Sequence, residues 1–225
     1  MANQEMISAI KDGKLDTVKT LFASQGTSNS AQDNDLLYYS VSKNQKDITE
    51  FFLAKGCDPN ARQEGEFGTI PLEVACSEET VDLLIRYQAD VNATSLNGRT
   101  PLHSQMAAGY KLSAGIATHL LEAGADPRAM DKNDSTPLHL LLYSLHNGFR
   151  EPSVISPAAK EIIINLVKDT RDASLLNQAG TSLESFLKTR EKLATYNPDY
   201  AEDKPIIKEI RNHLEGLKPK STLSR

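Results

Sequence analysis

Tryptophan is absent from the chain, cysteine occurs only twice, and aromatic residues make up just 6% of its 225 positions. So few large rings exclude a core built on bulky side chains and favour helices packed closely through small ones, as the abundant Ala and Leu suggest. Cys57 and Cys76 are too few for a disulfide framework and lack the paired spacing of a zinc knuckle. Reduced thiols and a cytoplasmic location are the expectation. No apolar run reaches the roughly 18 residues of a membrane span, and Met1 to Leu21 lacks the apolar centre of a signal peptide. Basic charge is not in surplus either: 25 Lys and Arg stand against 30 Asp and Glu, a formal −5. No Lys/Arg cluster of the kind phosphate binding requires precedes the last few residues, so a nucleic-acid partner is not expected.

What the chain has is repetition. The stretch Gly56-Cys57-Asp58-Pro59-Asn60-Ala61 returns as Gln88-Ala89-Asp90-Val91-Asn92-Ala93 and as Gly124-Ala125-Asp126-Pro127-Arg128-Ala129, at spacings of 32 and 36 residues. A second string, Thr-Pro-Leu-His, stands at 100–103 and 136–139, with degenerate copies at Ile70-Pro71-Leu72-Glu73 and Thr181-Ser182-Leu183-Glu184. Pro in the first turn of a helix forfeits no hydrogen bond, and a preceding Thr caps the free N–H groups, so a helix is expected to start at each Thr-Pro. Gly56 and Gly124 follow Leu-rich segments as left-handed helix terminators do; Gln88 in the same place predicts mild strain. The Asp-x-Asn-Ala that follows is turn chemistry.

On these two strings and their shared order the chain resembles the ankyrin repeat, a unit of about 33 residues made of a β-turn and two antiparallel helices. The resemblance covers roughly residues 3 to 217 and implies an all-α solenoid of stacked helix-turn-helix units with β-hairpin-like fingers. The unit boundaries expected are 3–32, 33–67, 68–97, 98–133, 134–179 and 180–217, with 218–225 a flexible tail. By the spacing from Glu73 to Gln88 the third unit is three residues short, and the fourth is three long. The fifth carries an insertion, His146 to Ser156, before a second helix from Pro157. The last helix is expected over Pro205 to Leu217, on the apolar stripe Ile206, Ile207, Ile210, Leu214 and Leu217.

The resemblance further implies a solvent-facing concave groove, lined by fingers and first helices, that holds another protein or a peptide segment. Placing the sequence on the repeat puts Gln63 to Phe67 with Glu66, then Leu96, Asn97 and Arg99, then Lys132, Asn133 and Ser135 at fingertips. Ser77, Glu78, Ala107, Ala108, Tyr143 and Ser144 fall just before the inter-helix turns. Phe67 and Leu96 are the sharpest candidates, because an exposed apolar side chain gains by entering a partner's pocket; singly exposed apolar residues are otherwise ordinary. Arg99 is a candidate to pair with an acidic partner group. Three irregular loops are candidate specificity elements: the long finger Arg62 to Gly68, the insertion with Phe149 and Arg150, and the acidic connection Tyr196 to Asp203.

Chemistry is the weaker reading. His103 and His139 lie in Thr-Pro-Leu-His, where the family's His bonds locally to the turn backbone and the Thr hydroxyl. Cys76 with His103 would be a nucleophile and base only in a cryptic enzyme; both cysteines read instead as buried substitutes for Ala. No phosphate loop, His-Glu-x-x-His or Gly-x-Ser-x-Gly is present, so no enzyme activity, metal or cofactor is expected. The function expected is that of an adaptor, scaffold or stoichiometric regulator, monomeric and cytoplasmic. The alternative is a bacterial secreted effector acting in the host cytosol. Where an asparaginyl hydroxylase of ankyrin repeats is present, Asn92 has the spacing of a substrate.

Overall fold

A computed structural model describes residues 2–24, 30–108, 114–146, 157–170 and 183–217. The elements are α1 (Ala2–Lys11), α2 (Leu15–Ser24), α3 (Ser30–Ser42), α4 (Lys46–Ala54), α5 (Glu78–Arg86), α6 (Pro101–Ala107), α7 (Ala114–Glu122), α8 (Pro137–His146), α9 (Pro157–Thr170), α10 (Leu183–Tyr196) and α11 (Asp203–Leu217). Single 3-10 turns stand at Pro71–Glu73 and Pro198–Tyr200. The described residues contain no strand, so the all-α class holds and the finger is a turn rather than a paired ribbon. The expected tail, 218–225, lies outside the described residues.

The chain divides into two compact units, one of residues 1–104 with 118–126 and one of residues 105–117 with 127–225. In the first, apolar residues at helical spacing bury Met6 and Ile10 of α1, Val18 of α2, Leu37 and Val41 of α3, and Ile48 and Phe52 of α4. Phe22 meets Phe51 and Phe52 edge-on at 5.5 and 5.8 Å, fastening α2 to α4. The Cys57 thiol is buried and donates to the Asp33 carbonyl at 3.6 Å. Burial, reinforced by the Asp33 charge, pushes that thiol up to about 12, which makes it inert as expected of a core residue.

Three helix ends share one device. Gly56, Gln88 and Gly124 have φ of 89°, 68° and 92°, and the next residue's N–H reaches back to a helical carbonyl: Cys57 to Phe52, Ala89 to Leu84, Ala125 to Leu120, at 2.9–3.2 Å. The expected strain at Gln88 is therefore present, since a side-chain-bearing residue occupies the left-handed region.

Two expectations are corrected in the third repeat. Ile70-Pro71 does not open an α-helix but a single 3-10 turn, in which Glu73 and Val74 N–H bond to the Ile70 and Pro71 carbonyls. The missing three residues have come out of the first helix, and Ile70 offers no hydroxyl to cap its start. Ser77 consequently becomes the N-cap of α5, its Oγ accepting from Thr80 N–H at 3.3 Å. Cys76, at the end of this shortened segment, is exposed instead of buried in place of Ala.

In the second unit α8, α9, α10 and α11 bury Leu141, Leu142, Ile162, Ile163, Phe186, Leu187, Ile207 and Ile210. Among them lies Arg190, 1% exposed. Its guanidinium donates to Asp203 Oδ2 at 3.3 Å and to the Leu145 carbonyl, between the rings of Phe186 and Tyr200 at 5.5 and 5.0 Å. Part of the acidic connection expected to serve recognition thus turns inward: Tyr200 and Asp203 hold Arg190, while Tyr196 stays exposed.

Two stability measurements follow from these contacts. Gln88→Gly removes the torsional cost at a position whose side chain is exposed, and the urea midpoint should rise by an equivalent of about 0.5–1 kcal/mol, net of glycine's greater chain entropy. Asp203→Ala leaves the Arg190 charge buried without its carboxylate and should cost about 3 kcal/mol in urea unfolding, while Arg190→Met, which removes the charge itself, should cost clearly less.

Candidate functional site

Each finger is closed by one backbone hydrogen bond: Gln63 N–H to Thr69 O and Ser95 N–H to Arg99 O, both 2.9 Å, in the first unit, and Asp131 N–H to Ser135 O, 3.0 Å, in the second. The first loop encloses residues 64–68, two more than 96–98 or 132–134, so the finger expected to be long is long. The residue three before the helix-starting Pro is left-handed in all three, as Gly68, Gly98 and Asp134 at 51°, 78° and 54°. At Gly68 the conformation is compounded by a close approach, because a Cβ there would lie 2.6 Å from Leu96 Cγ.

Successive turns are interlocked through asparagine. Asn60 Nδ2 donates to the Gln88 carbonyl at 3.1 Å while its Oδ1 accepts from Asp90 N–H at 2.7 Å. Asn92 repeats the pair with Gly124 O and Asp126 N–H at 3.0 and 2.8 Å, and Asn34 Oδ1 accepts from Asp58 N–H at 2.8 Å. Both ends of each amide in the first two pairs satisfy backbone groups that the helix end would otherwise leave bare. Arg62 adds a forked bond, Nε and an Nη to the Thr94 carbonyl at 3.0 and 2.7 Å.

On this frame Phe67 and Leu96 come together, 57% and 47% exposed, with Leu96 N–H bonded to the Phe67 carbonyl at 2.8 Å. Glu66 is exposed beside them. Asn97 is spent on the fingertip itself: its Oδ1 accepts from Ser95 Oγ at 2.7 Å and from Arg99 N–H at 3.2 Å. Arg99 is half-buried, and its charge is felt by the Glu73 carboxyl of this same chain. In the second unit Lys132 and Asn133 are exposed, Asn133 N–H donating to Asp131 Oδ1 at 2.8 Å, and Ser135, expected at a fingertip, is buried. Tyr143 stands out from α8, 59% exposed, next to Ser144, which bonds the Ala107 carbonyl at 3.1 Å. Phe149 and Arg150 lie outside the described residues.

His103 and His139 behave as the resemblance implies. The Thr100 N–H donates to His103 Nδ1 at 3.2 Å and the Thr100 hydroxyl lies 2.8 Å away; the Thr136 and His139 distances are 3.1 and 2.9 Å. In each ring Nδ1 accepts the threonine amide, which fixes the ring locally against the turn. His103 is fully buried with Nδ1 occupied while Cys76 is exposed, which leaves the Cys76/His103 pairing without a geometric basis. No group of three or more His, Cys, Asp or Glu among the described residues is placed to hold a metal ion. No described helix is long and apolar enough to cross a membrane.

The residues that sequence reasoning missed surround Glu73. It stands where Thr-Pro-Leu-His has its His, and only that substitution could have signalled it. Glu73 is 8% exposed, with Oε2 accepting from Ser104 Oγ at 3.3 Å and Oε1 buried without a hydrogen-bond partner. Burial lifts its carboxyl above the usual range, against the opposing pull of Ser95, Ser104 and Arg99. On α3, Tyr38 hydrogen-bonds the Thr69 side chain and feels the Glu73 charge. Near the start of α3, burial and the Glu64 carboxylate raise Asp35, while the Glu64 backbone N–H, hydrogen-bonded to it, pulls the other way.

Residues 37–131 match the family described as ankyrin repeats in three copies. The chain is 34% identical over 104 residues to human Rabankyrin-5, covering 40% of this chain and 9% of that protein. It is 36% identical over 104 residues to rat NF-kappa-B inhibitor alpha, covering 42% of this chain and 32% of that one. To the NF-kappa-B p105 subunit of chicken it is 35% identical over 95 residues, 40% of this chain and 9% of the relative. The chain thus spans a third or less of these relatives. Residues 37–131, less than half of the chain, are similar to ankyrin repeats, and the all-α fold class accords with that likeness.

The Glu73 departure has a measurable consequence. A carboxyl raised in the folded state binds its proton more tightly than the unfolded chain, whose reference is 4.5. Its contribution is therefore most favourable below that pH and is lost as pH rises through the folded value. Glu73→Gln should be more stable than wild type at pH 7, and the difference between their urea midpoints should shrink as the pH is lowered toward 4.

Proposed function

We propose that the chain is a protein-binding adaptor, scaffold or stoichiometric regulator that holds a polypeptide segment on its fingertips and first helices. The observation that carries this reading is the joined pair Phe67 and Leu96, two large apolar side chains held out by successive fingers on a rigid backbone link. Rigid apolar anchors on a polar surface are the groups from which hot spots are made, because their burial gains energy without ordering a loop. Exposed Glu66 belongs to the proposed surface in the first unit, and exposed Lys132, Asn133 and Tyr143 are the candidate contacts of the second unit taken by itself. Asn97 and Arg99 support it from within. The segmentation into six units is part of the proposal, and what supports it is the order of elements: α1/α2, α3/α4, the 3-10 turn with α5, α6/α7, α8/α9 and α10/α11 form six consecutive pairs. A monomeric state and a cytoplasmic location are part of the same proposal. The names of the similar proteins, an NF-kappa-B inhibitor among them, accord with a regulatory role.

Affinity purification with mass spectrometry on wild type and on a Phe67→Ala/Leu96→Ala variant tests it. Specific partners of the wild type should be depleted about tenfold or more in the variant, as loss of one hot-spot anchor produces. Equal recovery of every partner rejects the fingertip site.

A further inference from the structure

The two compact units differ in charge. The first holds 17 acidic and 9 basic residues, a formal −8, and the second 13 acidic and 16 basic, a formal +3. Within the first, the acidic character converges on the apolar fingertips. The long finger places Glu64 and Glu66 on either side of Gly65 just before Phe67, all exposed, and brings Glu64 against Asp35 of α3. Of the two arginines nearby, Arg62 is exposed with its guanidinium fixed on the Thr94 carbonyl and Arg99 is half-buried with its charge felt by Glu73, so Glu64, Glu66, Asp35 and Glu73 outnumber the cations there.

Beneath the fingertips lies Glu73, more than nine-tenths buried, with Oε2 bonded to Ser104 and Oε1 making no hydrogen bond of ordinary geometry among the described residues. Its surroundings are the residues that close the two fingers: Ser95 and Arg99 close the one bearing Leu96, and Thr69, through Tyr38, the one bearing Phe67. A half-satisfied buried carboxylate lowers stability, and such a cost concentrates where it serves a site. Here it lies under an apolar pair whose longer finger carries Glu64 and Glu66, and in its ionised form it adds to their negative potential. Low-dielectric walls strengthen that potential at the surface.

We propose that this surface, Asp35 and Tyr38 of α3 with the fingertips of Phe67 and Leu96, takes a basic peptide segment that sets one apolar side chain among Lys and Arg residues. The proposal rests on the protein-binding reading above and names the partner's chemistry. Apolar contact with Phe67 and Leu96 supplies the anchor, and the flanking cations face Glu64, Glu66 and Asp35. A partner segment of acidic character would instead meet like charge, which is how such a surface discriminates.

The test is selection of random 12-residue peptides displayed on phage against the immobilised full chain, followed by affinity measurement on synthetic copies of the enriched sequences. Enriched peptides should carry an excess of Lys and Arg around an apolar residue. Their affinity should fall about tenfold on Phe67→Ala, severalfold on Glu64→Gln/Glu66→Gln and on Glu73→Gln, and markedly between low and high salt. Because Glu73→Gln is expected to be the more stable protein at neutral pH, weaker binding by it cannot be ascribed to unfolding. Enrichment of neutral or acidic peptides, no enrichment at all, or carboxylate variants that bind like wild type overturns the proposal. If cellular partners are still lost with Phe67→Ala/Leu96→Ala in any of those cases, the protein-binding function stands and only the basic character of the partner is refuted.

Discussion

The asparagine amide that bridges one turn to the next is the interaction on which the rest of the first unit depends. A helix that ends in a left-handed residue leaves carbonyls and the following amides in need of partners. Asn60 and Asn92 meet that need across a repeat boundary: one side chain caps the neighbouring helix end and orients the turn that begins the next finger. The registry of Phe67 against Leu96 is inherited from this spacing. Each repeat touches only its neighbours, so such local bonds propagate order along the chain without any long-range template.

Most of the architecture was legible because its determinants are local. Thr-Pro marks a helix start and a glycine after paired leucines marks its end, wherever they occur. The helices beginning at Pro101 and Pro137 were readable for that reason, and the exposure of Phe67 and Leu96 followed from their place on the repeat. Reading failed where a local signal was outweighed by what lies next to it. Pro71 carries the start signal, yet three missing residues leave room for only one turn, and this in turn brings Cys76 to the surface and recruits Ser77 as a cap.

The candidate site was harder to see because charges are assigned to partners by geometry rather than by type. Arg99 and Asp203 are both charged residues beside irregular segments, where solvation is the ordinary outcome. The charge of Arg99 is felt by a buried carboxylate and Asp203 is paired with a buried guanidinium, and neither relation has a sequence signature. Glu73 is the converse case. Its departure from the motif is visible, but only its burial and its unsatisfied oxygen give it meaning.

The single 3-10 turn at Pro71–Glu73 gives this stretch less of its own helical backbone bonding than a full first helix would provide. In a linear array, cohesion falls where a layer is thin, so transient opening will concentrate there. The proposed peptide surface thus adjoins a layer with little helical bonding of its own, and its anchors depend on the asparagine-bridged turns on either side to keep their places.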